Sequence, residues 1–327
     1  AYKDIYKASL ADPEAFWMNA AAAIDWDRPP TRALSAENAP LYQWFADGML
    51  NGCWNAVDRH VEAGHGDRTA IIYDSPVTDT KRQITFTELK DQTARLGGAL
   101  AARGVTKGDR VLIYMPMVPE ALGAMLACAR IGAIHSVVFG GFAANELAVR
   151  IDDSKPKAII AGSCGIEPGR IVEYKPLLDG AIDMANHAPE TCIILQRDAA
   201  RAEMIAGRDV DFAQAVTDAD PVDCLPVEGN HPAYILYTSG TTGQSKGVIL
   251  RAGRAVQAAR DTAAFDHLSD ADEVLAYLPL AWVGDHYLNS AQGLVCGFCM
   301  ACPEGSDTVQ HDLREIGPTY YFAPPRV

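Results

Sequence analysis

The sequence has no apolar run long enough to cross a membrane. A transmembrane helix needs about 20 consecutive apolar residues, whereas the best candidate here extends only from Ala121 to Ala129 and is flanked by Glu120 and Arg130. The first residues do not show the charged-then-apolar pattern of a secretory signal peptide. We therefore expect a cytoplasmic protein that does not act on a membrane.

An excess of basic residues is also missing. The 28 Lys and Arg residues are outnumbered by 42 Asp and Glu residues, which gives a formal net charge of −14. Because non-specific binding of nucleic acid requires a basic surface, this balance argues against a nucleic-acid partner. A nucleotide substrate is still compatible with it, since one lysine in a glycine-rich loop supplies positive charge locally.

Cysteines are too few for a disulfide scaffold, with eight in 327 residues. Most stand in apolar surroundings, as buried thiols do in a reducing compartment. Cys296, Cys299 and Cys302 have the spacing that begins an iron–sulfur run, but Ser306 stands where the fourth cysteine belongs. We therefore expect these three cysteines to be packing residues, and we assign no metal ligands.

Strands and helices are predicted to alternate along most of the chain. Thr69–Tyr73 is typical of a strand, Thr85 and Glu88 form a capping box that begins a helix, and Asp109–Tyr114 is typical of the next strand. The alternation continues towards the end of the sequence. Repeated βαβ units predict an α/β fold with mostly parallel sheets and helices on both faces.

Three segments depart from this alternation. Residues 1–60 are rich in aromatic side chains and are predicted to be irregular until a helix begins near Asn55. The acidic segment 198–230 is predicted to hold one helix and a linker. The end of the sequence is predicted to contain a last strand at Thr319–Phe322.

A segment rich in glycine and hydroxyl groups, Tyr237-Thr-Ser-Gly-Thr-Thr-Gly-Gln-Ser-Lys-Gly247, follows an apolar strand. Glycines let the backbone approach a ligand closely, and N–H groups, hydroxyls and one lysine together suit a polyphosphate. Ligands bind at the carboxyl ends of strands in open parallel sheets, and this segment leaves such an end. The candidate phosphate-binding residues, with Lys246 and Thr242 as catalytic candidates, are Thr238, Ser239, Gly240, Thr241, Thr242, Gly243 and Lys246.

This segment is not a Walker A loop, whose pattern is G-x-x-x-x-G-K-[ST]. Counted from Gly240, Lys246 falls at the right distance, but Ser245 replaces the second glycine and Gly247 replaces the Ser or Thr. An ordinary surface loop of Ser, Thr and Gly is the other alternative.

The string Y-T-S-G-T-T-G-x-x-K-G resembles the phosphate-binding loop of the adenylate-forming superfamily, which includes acyl-CoA synthetases, luciferases and the adenylation domains of peptide synthetases. Ile72–Pro76, Tyr114–Met117 and Ser136–Gly141 are similar to segments of propionyl-CoA synthetases. The aromatic-rich start resembles the N-terminal extension of acetyl- and propionyl-CoA synthetases. The resemblance implies an extension over residues 1–60 and part of an AMP-binding domain over residues 61–327.

The resemblance implies AMP-forming ligation of a small carboxylic acid, such as propionate or acetate, to coenzyme A, with ATP and Mg²⁺. It assigns Gly140, Gly141 and Arg170 to coenzyme A, although Glu167 stands where the acetyl branch has a further arginine. It places Trp282 and His286 at the acyl pocket.

After Gly247 the sequence is more similar to long-chain acyl-CoA synthetases, as in Leu275–Leu280 and Phe322–Val327. Our hypothesis is a composite of two branches joined at the phosphate-binding loop. The adenine-binding, hinge and catalytic-lysine motifs of complete synthetases are not found in the sequence, so we expect little turnover from these 327 residues. The alternatives are a nucleotide-binding module without catalysis, a long-chain acyl-CoA synthetase, and an adenylating enzyme that does not use CoA.

Overall fold

A computed structural model describes residues 2–167, 169–238, 246–303, 305 and 308–323. Its α-helices are α1 Tyr2–Ala11, α2 Pro13–Ala21, α3 Phe86–Ala101, α4 Pro119–Arg130, α5 Ala144–Ser154, α6 Tyr174–Met184, α7 Phe212–Asp218, α8 Ala252–Phe265, α9 Gln292–Cys296 and α10 Val309–Ile316. Three further helical segments are of the π type: Trp54–Asp58, Val61–His65 and Asp285–Ala291. Among the described helices, none combines the length and the apolar character that a membrane crossing requires.

The strands lie in five sheets. They are β1 Leu34–Ser35, β2 Gln43–Trp44, β3 Met49–Leu50, β4 Thr69–Ser75, β5 Thr80–Thr85, β6 Arg110–Met115, β7 Ile134–Phe139, β8 Ala158–Gly162, β9 Cys164–Glu167, β10 Arg170–Glu173, β11 Thr191–Leu195, β12 Asp209–Asp211, β13 Val227–Glu228, β14 Pro232–Thr238, β15 Lys246–Arg251, β16 Glu273–Leu275 and β17 Cys299–Pro303.

The main sheet has seven strands in the order β12-β11-β8-β6-β7-β14-β15. Every neighbouring pair is parallel except β14 with β15, which is antiparallel. Along β6, Val111 and Ile113 belong to the core on one face, and Leu112 and Tyr114 to the core on the other. Because helices cover both faces, the central strands are apolar throughout rather than alternating. The predicted α/β fold with mostly parallel sheets is confirmed.

A second sheet has four strands in the order β16-β17-β4-β5. β16, β17 and β4 are parallel neighbours, whereas β4 and β5 form an antiparallel hairpin. Sequence analysis predicts β4 but not β5. The reason is that β5 is an edge strand in which Lys81, Arg82 and Gln83 are all exposed, so it lacks the apolar pattern by which strands are recognised.

The predicted capping box at the start of α3 is present. The backbone N–H of Glu88 donates to Thr85 Oγ1 over 3.2 Å, and the Glu88 carboxylate accepts from the Thr85 backbone N–H over 2.8 Å. Two of the free N–H groups at the helix start are thereby satisfied. The buried face of α3 then packs into the core through Leu89, Leu96 and Leu100.

The prediction that residues 1–60 are irregular until Asn55 was wrong, because α1 and α2 lie there. α2 begins with the side chain of Asp12 accepting from the Ala15 backbone N–H over 3.0 Å, and Pro13 occupies its first turn. Both are standard helix-start signals. Trp17 packs edge-on against Trp44 with ring centroids 5.3 Å apart, so the aromatic residues of this segment form a small core of their own.

Two further predictions concern the acidic segment and the last strand. Segment 198–230 contains β12, α7 and β13, so its predicted single helix is present. The predicted strand Thr319–Phe322 is wrong, since its described residues make one isolated bridge, from Tyr320 to Val274. The Thr319 hydroxyl instead donates to Asp272 over 2.8 Å, a side-chain bond that holds this segment without a ladder.

Candidate functional site

Two adjoining cavities lie at the carboxyl ends of β6, β7 and β14, the edge at which parallel sheets bind ligands. The first, called here the Tyr174 cavity, has a volume of about 220 Å³ and includes Met115, Gly140, Glu167, Tyr174 and Tyr277 in its lining. The second, called here the Tyr237 cavity, has a volume of about 280 Å³ and includes Phe142, Arg150, Tyr237 and Trp282 in its lining. Both cavities share a wall that consists of Val137, Val138, Phe139 and Ala281.

The candidate phosphate-binding segment connects two paired strands. Thr238 ends β14 and is the register partner of Lys246, which begins β15. The sequence does not predict β15. Of the candidates, Ser239, Gly240, Thr241, Thr242 and Gly243 lie outside the described residues, and for Thr238 and Lys246 the description covers the backbone.

The base of this hairpin is fixed to α5. The Tyr237 hydroxyl donates to Asp153 over 2.6 Å. The Arg150 guanidinium lies 5.1 Å from the centroid of the Tyr237 ring and 4.8 Å from that of Phe142, within the range of cation–π attraction. Burial and the bond to Asp153 raise the pKa of Tyr237, so its hydroxyl stays protonated at neutral pH. These contacts hold a cationic group and an aromatic face in the Tyr237 cavity.

Gly140 and Gly141 follow β7 directly, and each is glycine for a different physical reason. A Cβ at Gly140 would overlap the hydroxyl group of Tyr174. Gly141 has φ +91°, a conformation that side chains with a Cβ rarely adopt. The missing Cβ of Gly140 therefore makes room for the Tyr174 hydroxyl, and both residues line the Tyr174 cavity.

Arg170 lies at the start of β10, where its side chain is 70% exposed and pairs with Glu167. Its Nη2 and Nε lie 2.6 and 2.8 Å from the same carboxylate oxygen. The other Glu167 oxygen lies 3.2 Å from the position that a Cβ would take on Gly141. Glu167 therefore connects Arg170 to the glycine pair. An anion that binds Arg170 must share the guanidinium with this carboxylate or displace it.

Trp282 and His286 do not share a cavity. Trp282 is 55% exposed and lines the Tyr237 cavity. His286 is buried, with its ring stacked on that of Tyr234 at a centroid distance of 4.0 Å and on that of His135 at 5.5 Å. Burial lowers the pKa of His286 to about 4, so the ring is neutral at pH 7.

His286 lines a separate, mostly apolar cavity of about 120 Å³. Leu122, Met125, Val256 and Leu294 are among its other lining residues. This cavity is bounded by α4, α8 and α9 rather than by the loops at the carboxyl edge. His135 also lines it, and neither of its ring nitrogens has a hydrogen-bond partner among the described residues.

Sequence analysis does not single out Arg150, Tyr174 or Phe139 as site residues. Phe139 is 45% exposed although it ends an apolar strand. A large aromatic residue immediately before two glycines is a signal that could have identified it. No comparable local signal identifies Arg150 or Tyr174, because their position in the site depends on how α5 and α6 pack against the sheet.

Two groups of cysteines bear on metal binding. Cys296 lies at the end of α9, and Cys299 and Cys302 lie in β17; within the described part of the chain they do not form a metal-binding group with other ligands. Cys53, Asp58 and Cys224 do approach one another, with ligand atoms within 4.8 Å. Both oxygens of Asp58 already accept from Arg130, over 2.7 and 2.8 Å. A cation there would be repelled by the guanidinium, so we do not assign a metal to this group.

Comparison with known proteins identifies the family. A family model described as "AMP-binding enzyme" matches residues 57–327, and one described as "Acetyl-coenzyme A synthetase N-terminus" matches residues 2–56. The solved structure of acetoacetyl-CoA synthetase from Streptomyces lividans has the same fold, with a TM-score of 0.86 at 22% identity over 96% of this chain and 49% of that one.

Two curated relatives are more similar in sequence. "Acyl-CoA synthetase short-chain family member 3, mitochondrial" from Mus musculus is 53% identical over 253 residues, 77% of this chain and 37% of the relative. "Propionate–CoA ligase" from Escherichia coli (strain K12) is 45% identical over 252 residues, 76% of this chain and 40% of the relative. The chain thus spans about two fifths of the length of each. The resemblance inferred from the sequence is confirmed: the chain belongs to the AMP-binding enzyme family, and it is similar to acetyl- and propionyl-CoA synthetases.

Proposed function

We propose that the protein is a short-chain acyl-CoA synthetase, which forms acyl-CoA, AMP and pyrophosphate from a small carboxylic acid, ATP and coenzyme A. The observation that carries the proposal is the pairing of Thr238 with Lys246 beside the Tyr237 cavity. The glycine- and hydroxyl-rich segment between them thereby starts and ends at the ligand-binding edge of the sheet. The names of the relatives supply the acid class, propionate being the substrate named for the Escherichia coli ligase.

In the first proposed step, a carboxylate oxygen of the acid attacks the α-phosphorus of ATP, which enters as its Mg²⁺ complex. The bond from the α-phosphorus to the bridging oxygen breaks, and pyrophosphate leaves from the acyl-adenylate. Negative charge grows on the departing phosphates. Lys246, together with donors of the segment such as Thr238 and Thr242, would neutralise this charge, which lowers the barrier by electrostatic stabilisation.

In the second proposed step, the thiolate of coenzyme A attacks the acyl carbon, and AMP leaves with the electrons of the broken carbon–oxygen bond. We assign coenzyme A to the surface around Gly140 and Gly141, because this segment resembles the one beside coenzyme A in acetyl- and propionyl-CoA synthetases and Gly140 lines the Tyr174 cavity. Arg170 would bind a phosphate of coenzyme A. Because Glu167 holds this guanidinium, phosphate binding is weakened by the competing carboxylate.

The acid is assigned to the Tyr237 cavity, where Trp282 supplies an aromatic surface. A second candidate substrate is an acid with a longer chain. The observation in its favour is the similarity of Leu275–Leu280 and Phe322–Val327 to segments of long-chain acyl-CoA synthetases. A series of acids from acetate upwards, compared by rate of adenylation, separates the two candidates.

The test of the proposed function combines ATP binding with exchange of labelled pyrophosphate into ATP. We expect ATP to bind, and Lys246→Gln to weaken binding by about ten- to a hundredfold, because the loss of one charge-assisted contact costs roughly 1.5–3 kcal/mol. Lys7→Gln is the matched control, since Lys7 is exposed on α1. Propionate-dependent exchange, which we expect at a low rate, supports adenylation.

Other outcomes of these measurements identify the alternatives. ATP binding without any exchange favours a nucleotide-binding module that has no catalytic activity. Exchange that yields the same product with and without coenzyme A favours an adenylating enzyme of another kind. A chain that does not bind ATP at all contradicts the proposal.

A further inference from the structure

Away from the ligand-binding edge, two cysteines from distant parts of the sequence meet inside the fold. Cys53 is fully buried immediately before the helical segment Trp54–Asp58, and Cys224 is half-buried in the linker between α7 and β13. Their sulfur atoms lie within 4.8 Å of each other. Rotation of the two side chains would bring sulfurs at this separation towards bonding distance.

A guanidinium group lies beside this pair. Nη1 of Arg130 is 3.4 Å from Sγ of Cys53, and Arg130 is fixed by its two bonds to Asp58. The hydrogen bond from Cys224 and the positive charge of Arg130 lower the pKa of Cys53 against the effect of burial. By contrast, burial alone raises the pKa of Cys128. Since the thiolate is the reactive form, Cys53 is activated in a way that Cys128 is not.

A small molecule can reach the pair through a cavity of about 290 Å³. Cys224 is part of its lining, together with Asp25, Trp26, Asn51 and Trp54. The cavity lies between the N-terminal segment, which contains Cys53, and the linker, which contains Cys224. An oxidant as small as hydrogen peroxide therefore has access to one thiol, and the second thiol is its immediate neighbour.

We propose that Cys53 and Cys224 form a reversible disulfide when a peroxide oxidises them. In the first step one thiolate attacks a peroxide oxygen, a sulfur–oxygen bond forms, the oxygen–oxygen bond breaks, and the leaving oxygen departs as water after gaining a proton. In the second step the neighbouring thiol attacks the resulting sulfenic sulfur and gives up its proton. The sulfur–sulfur bond forms, the sulfur–oxygen bond breaks, and the hydroxyl group takes that proton and leaves as a second water. The two thiols lose two electrons, which the peroxide gains, and an external dithiol reverses the change.

The disulfide would tie the N-terminal segment to the linker that leads into β13 and β14. A cross-link between residues so far apart in sequence removes many conformations from the unfolded chain, so it stabilises the folded state. This proposal does not depend on the proposed ligase activity, because it concerns a site on a different part of the fold.

The test is peptide mapping of the wild-type chain after brief exposure to a few equivalents of hydrogen peroxide. The remaining thiols are blocked with N-ethylmaleimide during unfolding, and digestion is followed by mass spectrometry. We expect a linked peptide that contains Cys53 and Cys224, about 2 Da lighter than the two thiol peptides together, since two hydrogens are lost. Cys128 is the matched control and should remain a blocked thiol. Dithiothreitol should remove the linked peptide, and the oxidised chain should melt several degrees higher than the reduced one.

Cys224→Ala provides a second readout, in which Cys53 should be trapped as a sulfenic acid when the peroxide-treated variant is unfolded in the presence of dimedone. Recovery of both Cys53 and Cys224 as blocked thiols, while other cysteines are oxidised, would overturn the proposal. It would also be overturned if one equivalent of Zn²⁺ alone protected both thiols from blocking and peroxide produced no linked peptide. The wild-type mapping decides the matter even if the variant does not fold.

Discussion

Glu167 and Arg170 form an ion pair across the turn between β9 and β10, with Nη2 of Arg170 2.6 Å from Oε2 of Glu167. The same carboxylate reaches towards Gly141. This ion pair therefore determines whether the Arg170 guanidinium can bind a ligand at the surface to which we assign coenzyme A.

We expect Glu167→Gln to tighten binding of coenzyme A. The substitution removes an exposed ion pair worth about 0.2–1 kcal/mol, which corresponds to a Kd lower by a factor of about 1.4 to 5. Isothermal titration calorimetry with coenzyme A measures the change. The double variant Glu167→Gln, Arg170→Gln is the control and should lose the gain. Unchanged or weaker binding by the single variant would show that Arg170 does not contact the ligand.

Gly140→Ala is expected to destabilise the fold, because its Cβ would overlap the hydroxyl group of Tyr174. Overpacking of this kind costs about 1–3 kcal/mol, and urea denaturation measures the change in the free energy of unfolding. Gly123→Ala is the matched control. Gly123 lies within α4, and a Cβ added there would meet no atom of the described neighbouring residues within 4 Å. We therefore expect the helix propensity of alanine to leave stability unchanged or raise it by up to about 1 kcal/mol. Equal losses in both variants would contradict this account of Gly140.

The adjacent residues Asp285 and His286 are expected to give stability opposite dependences on pH. Burial raises the pKa of Asp285 from 3.8 to about 6, so the stability it contributes is present at low pH and is lost as the pH rises through about 6. Burial lowers the pKa of His286 from 6.5 to about 4, so its contribution is present above pH 6.5 and is lost as the pH falls through about 4. The two effects partly cancel in the wild-type chain.

Asp285→Asn removes one of these opposing contributions. Between about pH 4 and pH 7 the stability of the variant should rise relative to the wild type by on the order of 3 kcal/mol. The reason is that the pKa of Asp285 is 3.8 in the unfolded chain and about 6 in the folded protein. Denaturant titrations across this range measure the difference. A constant difference between variant and wild type would mean that Asp285 does not titrate abnormally in the folded state.

Asp58→Ala should destabilise the protein strongly. The variant leaves Arg130 buried without its carboxylate, at a cost of about 3–5 kcal/mol, since both side chains of this pair are only 3% exposed. Asp91→Ala breaks the exposed helix pair with Arg95, in which the two atoms are 3.0 Å apart, and should cost no more than about 0.5 kcal/mol. Comparison of the two unfolding midpoints at pH 7 checks the contrast. Similar losses would imply that burial does not distinguish the pairs.

The sequence predicts the parallel core well, because buried strands such as β6 and β8 are continuous apolar runs and α3 has an explicit start signal. It does not predict β5, β10 or β15, which lie at sheet edges or in hairpins. Their side chains are largely polar or half-exposed, and the ladder partners that stabilise them are not visible in a local pattern. The missing strands matter for the site directly, since β15 makes the candidate phosphate-binding segment a connection between two strands.

The sequence does not predict that two site candidates close together in the chain line different cavities. Trp282 and His286 are four residues apart, and in an α-helix they would face the same way. Here Trp282 lies before the π-helical segment Asp285–Ala291, and His286 lies within it. The ring of Trp282 lines the Tyr237 cavity, whereas the ring of His286 is stacked on Tyr234. The motif identifies both residues, but it does not show that the ring of Trp282 is exposed whereas that of His286 is buried.

The amide group of Asn51 joins three parts of the chain. Its Nδ2 lies 3.0 Å from the carbonyl oxygens of both Ala129 and Arg130 and 2.7 Å from that of Leu225. Its Oδ1 accepts from the backbone N–H of Cys53 over 2.8 Å. A chain shortened to begin at residue 57, where the AMP-binding family model starts, would leave these carbonyl groups without the amide that now satisfies them. The region that matches the family model is therefore shorter than the region that folds as a unit. Expression of residues 57–327 alone would remove buried residues, such as Asn51, that are part of the core.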